Sequence, residues 1–147
     1  MIGSSFHRCC LITIASVAGF LTGCGNGEKP AVPVQGQLFY KGSQSATGAM
    51  VVFHPLPADT SSTAIKPTGE VREDGSFSLT TYKADDGAPE GEYAVTVIWL
   101  EKKAGPKLGE DRGLAKDRLE GRYNSAAKTK LKATVNSSST AIRLDVD

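Results

Sequence analysis

In segment after segment from Val32 onward, residues 101–130 excepted, the apolar residues recur at every second position, and that period decides the fold class before any other feature does. Successive side chains of a β-strand point to opposite faces, so an alternating segment buries one face and wets the other. Val34, Gly36, Leu38 and Tyr40 alternate with Gln35, Gln37 and Phe39, and Gly42 and Ser43 end that strand. Ala49 to Phe53 makes a second strand, closed by Pro55 and Pro57 because proline has no N–H to donate to a ladder. Ile65 to Arg72 is a weaker strand, which Pro67 confines to a sheet edge. Asp74-Gly75 is a hairpin signal that leads into Phe77 and Leu79. In the clearest strand Tyr93, Val95, Val97 and Trp99 form one stripe, with Thr96 between them. Ile98 and Leu100 make its other face partly apolar, as in a central strand. Leu131, Ala133 and Val135, then Ile142, Leu144 and Val146, complete the set.

Seven short strands with turn residues between them, and no repeat of fixed period, predict an all-β, two-layer antiparallel sandwich. On this register Val95 faces the core and Thr96 faces out, so Thr96→Asp is expected to be mild where Val95→Asp is not. The alternation breaks from Glu101 to Lys130, a charged stretch containing Gly105, Pro106 and Gly109. Asp111 to Leu119 is expected to make a helical turn or two. Long insertions in compact domains are usually functional or disordered. Lys103, Lys107, Arg112, Arg118 and Tyr123 are therefore candidate partner-binding residues. The plainer reading is a solvated loop, since Glu101, Glu110 and Asp111 dilute the lysines.

Ahead of the strands the pattern is different. Cys9 to Phe20 is a short apolar run behind His7 and Arg8. These are the proportions of a secretory signal, and the run is too short for the ~20 residues of a membrane-spanning helix. Leu21-Thr22-Gly23-Cys24 follows, a spacing that resembles the lipobox of bacterial lipoproteins. The resemblance implies cleavage before Cys24, which becomes a diacylated and often N-acylated first residue. Residues 1–23 are then a signal peptide, 24–31 a lipidated cysteine with a polar tether, and 32–147 the domain. The protein is expected to be exported and anchored in the cell envelope by lipid, without crossing the membrane. With Gly25 and Asn26 behind the cysteine instead of Asp, resemblance to envelope sorting rules favours an outer membrane where the cell has one.

Cysteine and charge arithmetic then narrow the classes. Cys9 and Cys10 leave with the leader and Cys24 carries lipid, so no disulfide forms within one mature chain. Of the 17 basic residues only Arg8 lies in the leader, which leaves 16 against 16 acidic residues. A nucleic-acid binder normally shows a basic excess or stripe, so a formally neutral chain without one is not expected to bind nucleic acid.

Val34-Gln35-Gly36-Gln37-Leu38, Gly48-Ala49 with Val51 and Phe53, Asp74-Gly75-Ser76-Phe77, and Gly91 to Val97 follow one another in an order that resembles the carboxypeptidase regulatory-like domains. The resemblance covers Val32 to Val146 and implies a seven-strand Greek-key β-sandwich of transthyretin-like, or prealbumin-like, type. Small envelope lipoproteins built of this one domain carry a stretch similar to Asp117-Arg118-Leu119 and Arg122-Tyr123 before the penultimate strand. The resemblance speaks for the fold more than for a function, and with no catalytic constellation in the sequence the expectation is a lipid-anchored, non-catalytic binding or structural module without a cofactor. Its partners would be membrane lipid, through acylated Cys24, and an envelope protein or glycan. The alternatives are a carbohydrate- or peptide-binding module using residues 101–130 and, more distantly, a hydrolase. Adhesin relatives of the fold cross-link a Lys to an Asn through a buried acid. The counterparts here are Lys41, Asn136 and Glu92, and all three fall at strand ends.

Other residues with possible chemistry are few. His54 is the one histidine after the leader, so a nucleophile relay would rest wholly on it. Asp85, Asp86, Glu90 and Glu92 gather four carboxylates around a turn, the oxygen donors that calcium prefers, but without the alternating spacing of an EF-hand loop. Its bland counterpart is a solvated hairpin turn. Trp99, Tyr93 and Tyr123 are candidates for a sugar-stacking patch. Tyr93 and Trp99 share a face with Val95 and Val97 and so belong to the core, whereas Tyr123 is placed to plug the end of the domain.

Overall fold

The computed structural model describes residues 29–57, 65–102, 115–138 and 141–147. Cys24 and the signal segment, together with Lys103, Lys107 and Arg112, lie outside the described residues. The strands are β1 (Ala31–Val32), β2 (Gln35–Tyr40), β3 (Gln44–Ser45), β4 (Met50–Leu56), β5 (Thr68–Glu70), β6 (Ser76–Ser78), β7 (Ala88–Pro89), β8 (Gly91–Ile98), β9 (Lys132–Val135) and β10 (Ala141–Val146). The protein is all-β, with no helix among the described residues. The helical turns expected within Asp111 to Leu119 are therefore missing from Ala115 to Leu119, where the chain instead turns around Asp117.

Two four-stranded sheets share one core. The first has the order β5-β4-β8-β9, antiparallel throughout. In the second, β10 pairs with one side of β2, while β6 and β3 pair in tandem with the other. The β2–β10 pair is parallel, which corrects the all-antiparallel expectation. Alternation fixes which face of a strand is buried and carries no information about its direction. A separate two-stranded ladder joins β1 to β7.

Leu38, Phe77, Leu144 and Val146 of one sheet meet Val51, Phe53, Val95 and Val97 of the other, each at most 3% exposed. Phe53 lies at the centre, its ring 6.4 Å from that of Phe77 and 5.7 Å from that of Tyr93, both tilted. Gly36 faces this cluster, and a Cβ there would collide with the Phe77 ring. The Tyr93, Val95, Val97, Trp99 stripe is buried, as its period predicts.

Three local readings change. Thr96 does lie on the opposite face from Val95, but it is only 5% exposed and its Oγ1 sits 2.9 Å from Nε2 of His54. An aspartate there is no longer expected to be mild, because the outer face of a central strand is covered by its neighbours' side chains. Next, β4 runs through Pro55, which stands opposite Tyr93, instead of ending before it. The amide of Phe53 points to the β5 side, where it donates to Pro67 O at 2.8 Å. By alternation the nitrogen of Pro55 points the same way, beyond the last β5 pairing at Val52, so no ladder bond is lost there. Lastly, the chain is docked earlier than the tether reading implied. Tyr82 Oη donates to Lys29 O at 3.0 Å, and Ala31 and Val32 pair with Pro89 and Ala88. Gly87 makes that approach possible, since at φ +94° a Cβ would strike the Val32 carbonyl.

Pro67 does end up beside an edge strand, β5. Asp74-Gly75 forms its turn with Gly75 at φ +84°, Gly75 N donating to Arg72 O at 3.0 Å and Arg72 N to Ser76 O at 2.7 Å. This is the three-residue loop with a left-handed last position. The strands it joins belong to different sheets, so the turn marks the corner where the two layers meet.

Candidate functional site

The charged insertion returns to the sheet at Asp117, and that return is held by three backbone amides on one carboxylate. Asp117 Oδ1 accepts from Trp99 N at 3.0 Å and Leu119 N at 3.1 Å, while Oδ2 accepts from Gly121 N at 2.9 Å. A short carboxylate can reach the amides just after it, which is why Asp favours such turns. Glu120 and Gly121, both at positive φ, then reverse the chain. Leu119, the lone large aliphatic between Asp117 and Lys130, is fully buried and plugs the core. Glu101 N donates to Lys116 O at 2.9 Å and Arg118 N to Trp99 O at 2.7 Å, so the two feet of the insertion are zipped together.

Beyond this point the chain follows the outer side of β8. Val97 N donates to Tyr123 O and Val95 N to Leu131 O, both at 3.0 Å, and the buried Thr129 hydroxyl donates to Val95 O at 2.7 Å. The Tyr123 ring packs on the core and its hydroxyl donates to Asp147 Oδ1. Burial, then that bond, push the Tyr123 phenol above its ordinary pKa. The same bond holds the Asp147 carboxyl below the usual range. The Arg118 guanidinium stacks 3.6 Å over the Trp99 ring, whose Nε1 donates to Thr47 O at 2.9 Å. Of the five candidate partner-binding residues, Arg118 and Tyr123 thus hold the base of the insertion. Lys103, Lys107 and Arg112 fall outside the described residues.

The acidic loop is organised around one of its four carboxylates. Asp86 Oδ1 accepts from Thr81 N at 2.7 Å, and Oδ2 accepts from Tyr82 N at 3.0 Å and Lys83 N at 2.9 Å. Burial alone would raise its pKa, but the backbone donors outweigh that and hold it below the ordinary value. Glu90 Oε1 accepts from Ser137 N at 2.7 Å. Asp85 is 3.8 Å from Arg72, and Glu92 is exposed. The candidate calcium loop therefore does not converge. No group of three or more His, Cys, Asp or Glu suited to a metal occurs among the described residues. Backbone amides within the loop and from Ser137 occupy Asp86 and Glu90, which sequence spacing alone does not reveal.

The remaining candidates are dispersed. Burial, then the charge of Lys66, lower the pKa of His54. The hydroxyl it meets, Thr96, is too enclosed to reach a substrate. Lys41 is exposed at φ +50° with Nζ 5.0 Å from the centre of the Tyr40 ring, which in turn packs edge-on against Trp99 at 5.6 Å. Glu92 lies at the start of β8, seven residues or ~23 Å along the strand from Trp99. Asn136 Oδ1 caps Ser138 N at 3.1 Å. The Lys–Asn–acid triad of the adhesin cross-link is not assembled. Tyr93 donates its hydroxyl to Pro89 O at 2.6 Å and, like Trp99, is 3% exposed, so neither ring offers a stacking surface. Burial, then Tyr82, raise the Tyr93 pKa.

No protein family, curated protein or solved structure matches this chain. No helix among the described residues is long and apolar enough to cross a membrane.

Proposed function

We propose that this chain is a lipid-anchored, non-catalytic β-sandwich of the cell envelope that acts as a binding or structural module, with the seven-strand Greek-key, transthyretin-like topology of carboxypeptidase regulatory-like domains. The observation that carries the reading is Leu21-Thr22-Gly23-Cys24 behind a short apolar run and a basic residue. Two or more acyl chains on Cys24 suffice for stable anchoring, at ~0.8 kcal/mol per buried methylene. The early docking of the chain adds a spatial argument. Only Gly25 to Glu28 separate Cys24 from Lys29, whose carbonyl is already bound to Tyr82. Stretched out, the five steps from Cys24 to Lys29 span at most ~18 Å, which keeps the β1–β7 end of the domain near the bilayer.

The binding form of this reading, a peptide or glycan met by residues 101–130, draws on one further observation. Met50 and Ile98 are opposite each other in the β4–β8 ladder and are 43% and 40% exposed. Leu100, bridged to Asp117 at the foot of the insertion, is 49% exposed. An apolar strip beside a polar loop is the composition of a recognition surface.

The test is flotation of the full chain with liposomes, together with labelling by a radioactive fatty acid. The full chain is expected to float and carry label. Cys24→Ala loses the label, and a chain that begins at Gly25 sediments free of lipid. If the chain beginning at Gly25 still floats after a high-salt wash, or Cys24→Ala keeps its label, the anchor reading is wrong.

A further inference from the structure

Among the described residues strand β10 leaves its outward edge unpaired from Ala141 to Asp145, short of Asp147, whose N–H is taken by Tyr123 Oη, and the charges along that stretch are complementary to themselves. Among the described residues β10 has a single ladder partner, β2. Lys41 N donates to the Val146 carbonyl at 2.7 Å, so the backbone groups of Val146, and by alternation those of Leu144 and Ile142, face β2. The groups of Arg143 and Asp145 face away from it. Asp147 N, next in that outward series, donates to Tyr123 Oη at 3.3 Å, which confirms the phase. The side chains of Arg143 and Asp145 are exposed, with Leu144 and Val146 buried on the core side. Ile142 is only half-buried, although it packs against the core. Outward N–H and C=O groups on a strand of this length are a template for another strand.

We infer that this edge is the interface of a homodimer, in which two copies pair their β10 strands antiparallel about an axis at Leu144 and so merge two four-stranded sheets into one. Charge selects both the partner and the register. With Leu144 opposite its own copy, Arg143 faces the partner's Asp145 and Asp145 faces the partner's Arg143, giving two opposite-charge pairs across the axis. These are also the residues whose outward amides and carbonyls can bond to one another. A slip of two residues one way sets Arg143 against Arg143, and the other way Asp145 against Asp145. Like charges directly opposite destabilise a ladder. A slip of one residue sets outward backbone groups against groups already bound to β2 and turns the apolar row to the wrong face. The same pairing brings Ile142 opposite the partner's Val146, which covers the apolar surface that the single copy leaves open. Within one copy Arg143 and Asp145 already pair at 3.0 Å, both about half exposed. In the dimer the two pairs become a four-charge cluster.

The experiment is sedimentation equilibrium of the full chain in density-matched detergent, with circular dichroism to follow the fold. Wild type is expected to be a dimer. Arg143→Asp places Asp opposite Asp at both sites, and Asp145→Arg places Arg opposite Arg. Each is expected to raise the dissociation constant about tenfold or more, and the double variant Arg143→Asp/Asp145→Arg to restore the dimer. Asp145→Pro removes an outward N–H that β2 does not use, so it keeps the β-sheet spectrum and loses the dimer even where a charge variant is poorly folded. A wild-type monomer at the highest concentration reached overturns the proposal, as when another segment of the chain or a foreign peptide covers the edge. A dimer that survives the folded single variants and Asp145→Pro overturns it as well, because its interface then lies elsewhere.

Discussion

Asp86 and Asp117 each gather three backbone N–H groups on one carboxylate, yet they do different work. The partners of Asp86 are Thr81, Tyr82 and Lys83, all within five residues of it. Asp117 also reaches Trp99, 18 residues earlier. The first carboxylate shapes a turn whose ends are already fixed by β6 and β7. The second decides where a long insertion rejoins the sheet, and so acts against the loop-closure entropy of everything between its partners. One residue type with one kind of hydrogen bond thus yields a local cap in one place and a tertiary clamp in the other.

Asp117→Ala is the substitution that most severely tests this contrast. It leaves three amides without their acceptor, one of them in the core-lining Trp99, and it leaves the foot of the insertion and Leu119 held at the strand by the backbone pairs Glu101–Lys116 and Arg118–Trp99 alone. A loss of ~2–4 kcal/mol in urea unfolding is expected, with the Trp99 emission shifted to the red as the indole gains water. If Asp117→Ala costs no more than Asp86→Ala, the clamp is no different from a cap and the contrast fails.

Asp86→Ala should cost about 1 kcal/mol, the scale of a lost cap. Its faster amide exchange should stay within residues 81–87. The pH dependence carries its own sign. The folded pKa of Asp86 lies below the ordinary 3.8, so its stabilisation is complete above that value and disappears as the pH falls through the folded pKa. In acid titrations Asp86→Ala should therefore flatten the part of the stability curve that wild type shows below about pH 4. An unchanged acid limb would mean that the three amides do not hold a charged carboxylate.

Much of the scaffold is legible in the sequence because period two is a direct record of burial. Tyr93, Val95, Val97 and Trp99 follow it, as does the placing of Pro67 beside an edge. Three things are not legible, for separate reasons. The parallel β2–β10 pair depends on chain direction, which alternation does not encode. The burial of Thr96 depends on His54, 42 residues away. The role of Asp117 depends on Trp99 arriving beside it, an event that follows from the fold. A faint signal was available even so. Leu119 stands alone in a charged stretch with Asp117 two residues before it and Gly121 two residues after, the pattern of a carboxylate-held turn that buries one side chain. In the acidic loop the four carboxylates suggested a cation, and it is amide donors, invisible to composition, that meet Asp86 and Glu90.

The finest test of the contrast uses the neighbour of the clamp. Arg118 follows Asp117 directly and stacks on the same Trp99, but its own side chain is exposed and holds no backbone group of the strand. A guanidinium over an indole at an exposed site contributes ~0.5–1 kcal/mol. Arg118→Ala should therefore lower stability by no more than that and leave the Trp99 emission nearly in place, while Asp117→Ala moves both. The pair also separates a structural foot from a binding surface. If Arg118 acts by stacking, capture of envelope partners by the full chain survives Arg118→Ala in proportion to the small stability change. If capture is abolished while the urea midpoint stays unmoved, Arg118 contacts a partner directly and its place over Trp99 only holds it ready.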